Sequence, residues 1–177
     1  MNPQLQPGHP LRKLFSGLVE QVFNVEIGIC DPAVTDYLEE LLAGFVHVDR
    51  IYCLRTVDDE VIRDISRMEA EAALAPGVPD TQRRRLINKY IGDFTLFWTG
   101  VYPESLWGRR QGGVDRLTPY LRQGKRSYGI ASDLTRADDV PPAEVLQQLS
   151  EQFECCVHGL HLVRAGWERL GGADGRN

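Results

Sequence analysis

Asp93 lies within Leu86–Glu104, LINKYIGDFTLFWTGVYPE, one helical turn from both Tyr90 and Phe97. A carboxylate at the edge of an apolar stripe must find a partner or shift its pKa upward. An arginine or lysine from the 109–126 segment, or a tyrosine hydroxyl, can supply that partner. Two roles follow. Asp93 is either half of a buried pair that fixes helix register, or a catalytic or ligand-binding carboxylate. In the second role it belongs to an anionic-ligand pocket built from Tyr90, Asp93, Trp98, Arg109, Arg110, Arg122, Arg126 and Tyr128.

The arginines are part of a wider asymmetry. Residues 81–127 hold ten basic residues against three acidic ones, a net +7. With −5 for the whole chain, the remainder carries −12. Arginine forks on such a surface recognise carboxylates, phosphates or an acidic partner. The plainer alternative is a solvated face, or charges paired with acidic helices of the same fold. Opposite polarity also suits head-to-tail self-association.

Glu154, His158 and His161 share one flank of the last helix. Two histidines three apart can chelate a metal, with Glu154 adding an oxygen. The flank lacks the Glu-x-x-His pairs of di-iron bundles and the His-Glu-x-x-His of metalloproteases. No metal and no cofactor is therefore expected, and these three stand only as weak metal candidates. Cys30, Cys53, Cys155 and Cys156 follow no disulfide framework, so free thiols in a reducing cytoplasm are expected. No nucleophile elbow, phosphate loop or dinucleotide fingerprint is present, so no catalytic residue is assigned.

These side chains need elements to hold them. In the 86–104 stretch the apolar positions 87, 90, 91, 94, 97, 98 and 101 have the spacing of one helix face, widened by Leu86 and Tyr102, with Leu96 opposite. A helix apolar around most of its circumference is surrounded by other helices. Residues 80–102 are thus predicted as the central helix of an all-α domain. Gly92 and Gly100, two turns apart, let another helix approach it closely. Before it, Leu11 to Phe23 form a first stripe ending near Gly28. Asp31-Pro32 opens a second helix with its stripe from Val34 to Val48. A third, with Val61, Ile65, Met68 and Ala72, ends at Pro76-Gly77. Residues 105–113 form a loop, and Leu117 to Ala131 a fifth helix.

Pro141-Pro142 opens the last helix, predicted over 141–170. Leu146, Leu149, Phe153, Cys156, Leu160, Val163, Trp167 and Leu170 alternate steps of three and four, a heptad seam. At ~1.5 Å per residue such a helix outreaches its neighbours. The plainer alternative is a core helix covered by the same chain; otherwise the end of the seam, Val163, Trp167 and Leu170, is expected to form a homodimer interface.

The block GDFTLFWTGVYPE at 92–104, followed by Tyr120, Gly124, Tyr128 and Ala131, resembles a family of uncharacterised bacterial helical proteins. The resemblance implies one integral domain and transfers no catalytic residue. The expectation is an all-α, single-domain bundle of about six helices spanning 9–170, with a loose arm at 1–8 and a disordered tail at 171–177. At 177 residues it can bury a real core. A pI near 5.4 argues against nucleic acid as a dedicated partner. No apolar run approaches the ~20 residues of a membrane span. The function expected is a non-enzymatic helical interaction or regulatory module acting through protein–protein contacts. The alternative is a small-ligand-binding protein or enzyme with the Asp93 pocket.

Overall fold

A computed structural model of the chain describes residues 10–52, 80–106 and 117–173. The predicted third helix, the N-terminal arm and the 107–113 loop with Arg109 and Arg110 lie outside the described residues. Those described form an all-α bundle of six helices, with no strand among them. They are α1 (Pro10–Gln21), α2 (Pro32–Tyr52), α3 (Asp80–Val101), α4 (Leu117–Asp133), α5 (Ala143–Glu151) and α6 (Phe153–Ala173).

Local chemistry sets the boundaries. α1 continues as a π-helical turn, Val22–Ile27, which Gly28 closes in the left-handed conformation at φ 84°. That conformation costs glycine nothing because it has no Cβ. Asp31 caps α2: its Oδ1 accepts the Ala33 N–H at 2.9 Å, and Pro32 fills the first helical position, where no N–H is needed. α3 ends at Val101, and a 3-10 turn of Pro103–Leu106 follows.

Helix α3 is the centre of the bundle, but its buried surface is not the stripe the spacing predicts. Every residue from Thr95 to Val101 is buried, including Leu96 at 0 % exposure. Leu86 and Tyr90, assigned to the apolar face, are 49 % and 46 % exposed. The reason is that α2, α4 and α6 all pack on α3, where Phe45, Tyr128 and Leu160 meet Phe97, Gly92 and Gly100. There the apolar and small residues are enclosed on all sides, so the period no longer marks a face. Thr95 and Thr99 fit this enclosure by donating their hydroxyls to the carbonyls of Ile91 and Thr95, at 2.6 and 2.7 Å. Gly92 and Gly100 do admit close neighbours, but from two different helices. A Cβ on Gly92 would stand 2.7 Å from the Tyr128 ring of α4, and one on Gly100 would stand 2.8 Å from Leu160 of α6.

The predicted single helix over 141–170 is two helices meeting at Gln152, whose φ of −106° and ψ of 25° lie outside the helical range. The hydrogen-bond ladder nonetheless crosses the break. Gln152 donates its N–H to Gln148 at 2.8 Å and accepts that of Cys156 at 2.9 Å. The seam therefore keeps its register, and Leu146, Leu149, Phe153, Cys156, Leu160 and Val163 are all at 1 % exposure or less. Helix α6 also runs to Ala173, past the predicted start of a disordered tail at 171.

Arg85 was counted with the basic surface and is in fact buried, at 2 % exposure. Its guanidinium donates to the Thr135 hydroxyl at 2.9 Å and the Pro141 carbonyl at 3.1 Å, and it pairs with Asp139 at 3.4 Å. It thereby ties the link between α4 and α5 to α3. At the other end of α3, Arg164 of α6 donates to the Val101 carbonyl and to Glu104, over the Tyr102 ring. The terminal Val101 carbonyl of α3, which lacks a helical partner, is satisfied this way.

Candidate functional site

Asp93 is the polar hub of the interior. Helix α3 presents it beside Gly92, where the missing side chain lets α4 lie close enough for Tyr128 to reach across. Its Oδ1 accepts the hydroxyl of Tyr128 at 2.8 Å and also that of Tyr37 from α2. Its Oδ2 accepts Lys89 Nζ at 2.7 Å, one turn earlier on α3. The same ammonium stands 5.1 Å from the centroid of the Tyr37 ring, a cation–π arrangement. The Tyr37 and Tyr128 rings meet edge to face at 6.4 Å.

The expected partner for Asp93 was either a base from 109–126 or a tyrosine hydroxyl. Two tyrosines and a lysine of its own helix fill the role. Tyr37 was missed because it reads as one more apolar position of α2, and its distance from Asp93 in sequence is 56 residues. Lys89 was detectable, since Lys and Asp four apart on one helix face are within reach.

Tyr128 is buried completely and Tyr37 is partly buried. Burial, and next the Asp93 charge, push the Tyr37 and Tyr128 phenols well above their ordinary range. A phenol whose folded pKa is raised contributes its stability in full below the unfolded value of 10.0, and that stability is lost as pH climbs toward the folded value. Above pH 10, stability is expected to fall by about 1.4 kcal/mol per pH unit for each of the two. Alkaline denaturation followed by phenolate absorbance checks this. These two of the six tyrosines should ionise only with unfolding. If all six titrate while the chain stays folded, the hub is open to solvent.

Arg109 and Arg110 lie outside the described residues, and the other six members of the predicted ligand-binding set are divided among different places. Asp93 and Tyr128 meet, while Tyr90 and Trp98 join a separate aromatic cluster with Phe45, Phe94, Phe97 and Tyr102. Residues five apart on a helix project about 140° apart, so Trp98 points away from the Asp93 side. Arg122 and Arg126 are exposed on α4. Among the described residues, pairing within the fold accounts for part of the basic window. Arg85, Lys89 and Lys125 pair with Asp139, Asp93 and Glu154.

The metal candidates are likewise placed apart in role. Glu154 takes both Lys125 contacts at 3.1 Å, and its own backbone N–H, then Lys125, hold its carboxyl below the usual range. His158 and His161 are exposed, and among the described residues no group of three His, Cys, Asp or Glu converges as a metal site. Cys30 and Cys155 are exposed free thiols. Cys156 is a buried thiol whose pKa burial pushes up to about 12, which makes it inert at neutral pH.

The predicted interface needs correcting too. Val163 is 1 % exposed inside the chain's own core. Trp167 packs edge to face on Phe15 of α1, with ring centroids 5.1 Å apart. Helix α1 runs antiparallel alongside the end of α6, and its Phe15 partly covers Trp167. Leu170 alone of the three stays open, at 50 % exposure. It lines a surface groove of about 390 Å³ between α1 with its π-helical turn and α6, together with Leu18, Gln21, Val22, Glu26, Leu162, Gly166 and Arg169.

The chain matches no family model, no curated protein and no solved structure. Among the described residues no helix is long and apolar enough to cross a membrane.

Proposed function

We propose that the protein is a non-enzymatic helical interaction module, working in the cytoplasm through protein–protein contacts and forming a homodimer. The observation that carries this is the groove between α1 and α6, an apolar floor with a charged rim and half-exposed Leu170 at its edge. Apolar residues left open between two helices are the kind of surface on which another helix docks. The interior supports the same reading, because the Asp93 carboxylate is already occupied by three donors of its own chain. Exposed Cys30 and Cys155 fit a reducing compartment. The likeness of the 92–104 block to uncharacterised bacterial helical proteins enters here as support for one integral domain only.

The alternative is a small-ligand-binding protein or enzyme with an anionic-ligand pocket near Asp93 and the basic 109–126 segment. Among the described residues Trp98 Nε1 is buried with no hydrogen-bond acceptor, but it lies in the aromatic cluster, on the other side of α3 from Asp93, and so brings no ligand to that carboxylate.

Light scattering over a wide concentration range tests the proposal. The expected mass at high concentration is twice the 20.0 kDa of the chain. Leu170→Glu, which puts a charge on the groove, should return it to the monomer with its helicity unchanged. A wild-type mass of 20.0 kDa throughout would remove the homodimer.

A further inference from the structure

The groove carries a polarity that its apolar floor conceals. Three contacts set the relation of its walls: Phe15 lies on Trp167, Leu18 against Gly166, and Phe23 against Gly159. Rising numbers in α1 thus meet falling numbers in α6. Glu26 lies beyond Phe23 at one end of the groove, and Arg169 lies beyond Trp167 at the other. Both side chains are exposed, and among the described residues neither takes part in an ion pair. Arg169 gives only its Nε–H, to the Ala165 carbonyl at 3.2 Å, which leaves the outer nitrogens of its fork available. Apolar side chains open to solvent flank the two charges: Val25 beside Glu26, at 77 % exposure, and Leu170 beside Arg169, at 50 %.

A surface with an acid at one end, a base at the other and apolar residues along its length is complementary to itself in one orientation. Two copies placed face to face are related by a two-fold axis lying in their interface. If that axis runs along the groove, Glu26 meets Glu26 and Arg169 meets Arg169. If it runs across the groove, the ends exchange, so that each Glu26 faces an Arg169. Like charges brought together oppose association and opposite charges fix register, so the second orientation is selected.

Resting on the homodimer proposed above, we infer that the occupant of the α1–α6 groove is the same groove of a second copy, turned end for end, with Glu26 of each chain paired to Arg169 of the other. The pairing occurs twice per dimer, and it sets which way round the copies meet. Half-exposed Leu170 at the rim supplies apolar contact, and the charges supply the orientation.

Charge reversal tests the register separately from the dimer. Glu26→Arg and Arg169→Glu each place two like-charged contacts in their own homodimer and should weaken it by about tenfold or more. Mixed in equal amounts, the two variants carry complementary ends. They should form a heterodimer about as tight as the wild type, detected by light scattering and by native mass spectrometry of size-tagged chains. Both positions are exposed, and Glu26→Gln and Arg169→Gln, which remove charge without adding repulsion, serve as milder variants with a smaller weakening expected. A wild-type dimer whose single reversals bind normally, or whose mixture is no tighter than either variant, would overturn the register while leaving the dimer standing. A wild type of 20.0 kDa at every concentration would overturn both and give the groove to a different protein.

Discussion

Phe97→Ala is expected to destabilise the protein by about 3–5 kcal/mol. Phe97 is at 0 % exposure in the fully enclosed half of α3. Its ring stacks on Phe45 of α2 at 4.8 Å and takes Trp98 and Tyr102 edge-on at 5.6 and 5.9 Å. Truncation removes the ring that the others share and leaves a cavity that three packed helices cannot close. Phe94→Ala should cost less, because that ring is only partly buried at the outer edge of the cluster. Urea melts of both variants provide the measurement. A Phe97→Ala loss below about 1 kcal/mol would show that α3 is peripheral to stability, against the value usual for a buried aromatic.

Asp93→Ala carries the second large effect, about 3 kcal/mol. The carboxylate is the shared acceptor for two tyrosine hydroxyls, and Tyr128 has no route to water. Removing it takes the carboxylate acceptor from the fully buried Tyr128 hydroxyl, and an unsatisfied buried donor costs its full desolvation. Lys89 loses its counter-ion as well, but at 26 % exposure its ammonium can rehydrate. Tyr128→Phe should cost about 1 kcal/mol, since it deletes one donor and leaves the acceptor with two others. A double-mutant cycle between Asp93 and Tyr128 isolates the coupling. If Asp93→Ala were as stable as the wild type, the carboxylate would not be holding α2, α3 and α4 in register, and the ligand-binding alternative would gain.

Much of the fold is legible in the sequence because it follows from local rules. Asp31-Pro32 specifies a helix start by side-chain capping and a fixed φ, and Gly28 specifies a stop. The seam from Leu146 to Val163 specifies one buried face, and it keeps that face although the helix breaks at Gln152. Gly92 and Gly100 mark close approach because the absence of a side chain is itself the signal.

What the sequence by itself determined, then, was the all-α class, the helix boundaries on either side of Gly28 and Asp31, and the need of Asp93 for a partner. Tertiary structure alone decided who that partner is. Tyr37 lies on another helix, and only the crossing of α2 with α3 turns its hydroxyl toward the carboxylate. It likewise decided that Arg85 is interior and Tyr90 is not. A period of 3.6 reports one apolar face, and it fails where three helices surround a fourth. Val163 and Trp167 moved from expected interface to intramolecular packing for a similar reason. The heptad pattern states that a seam must be covered, and the antiparallel course of α1 supplies the cover from within the same chain.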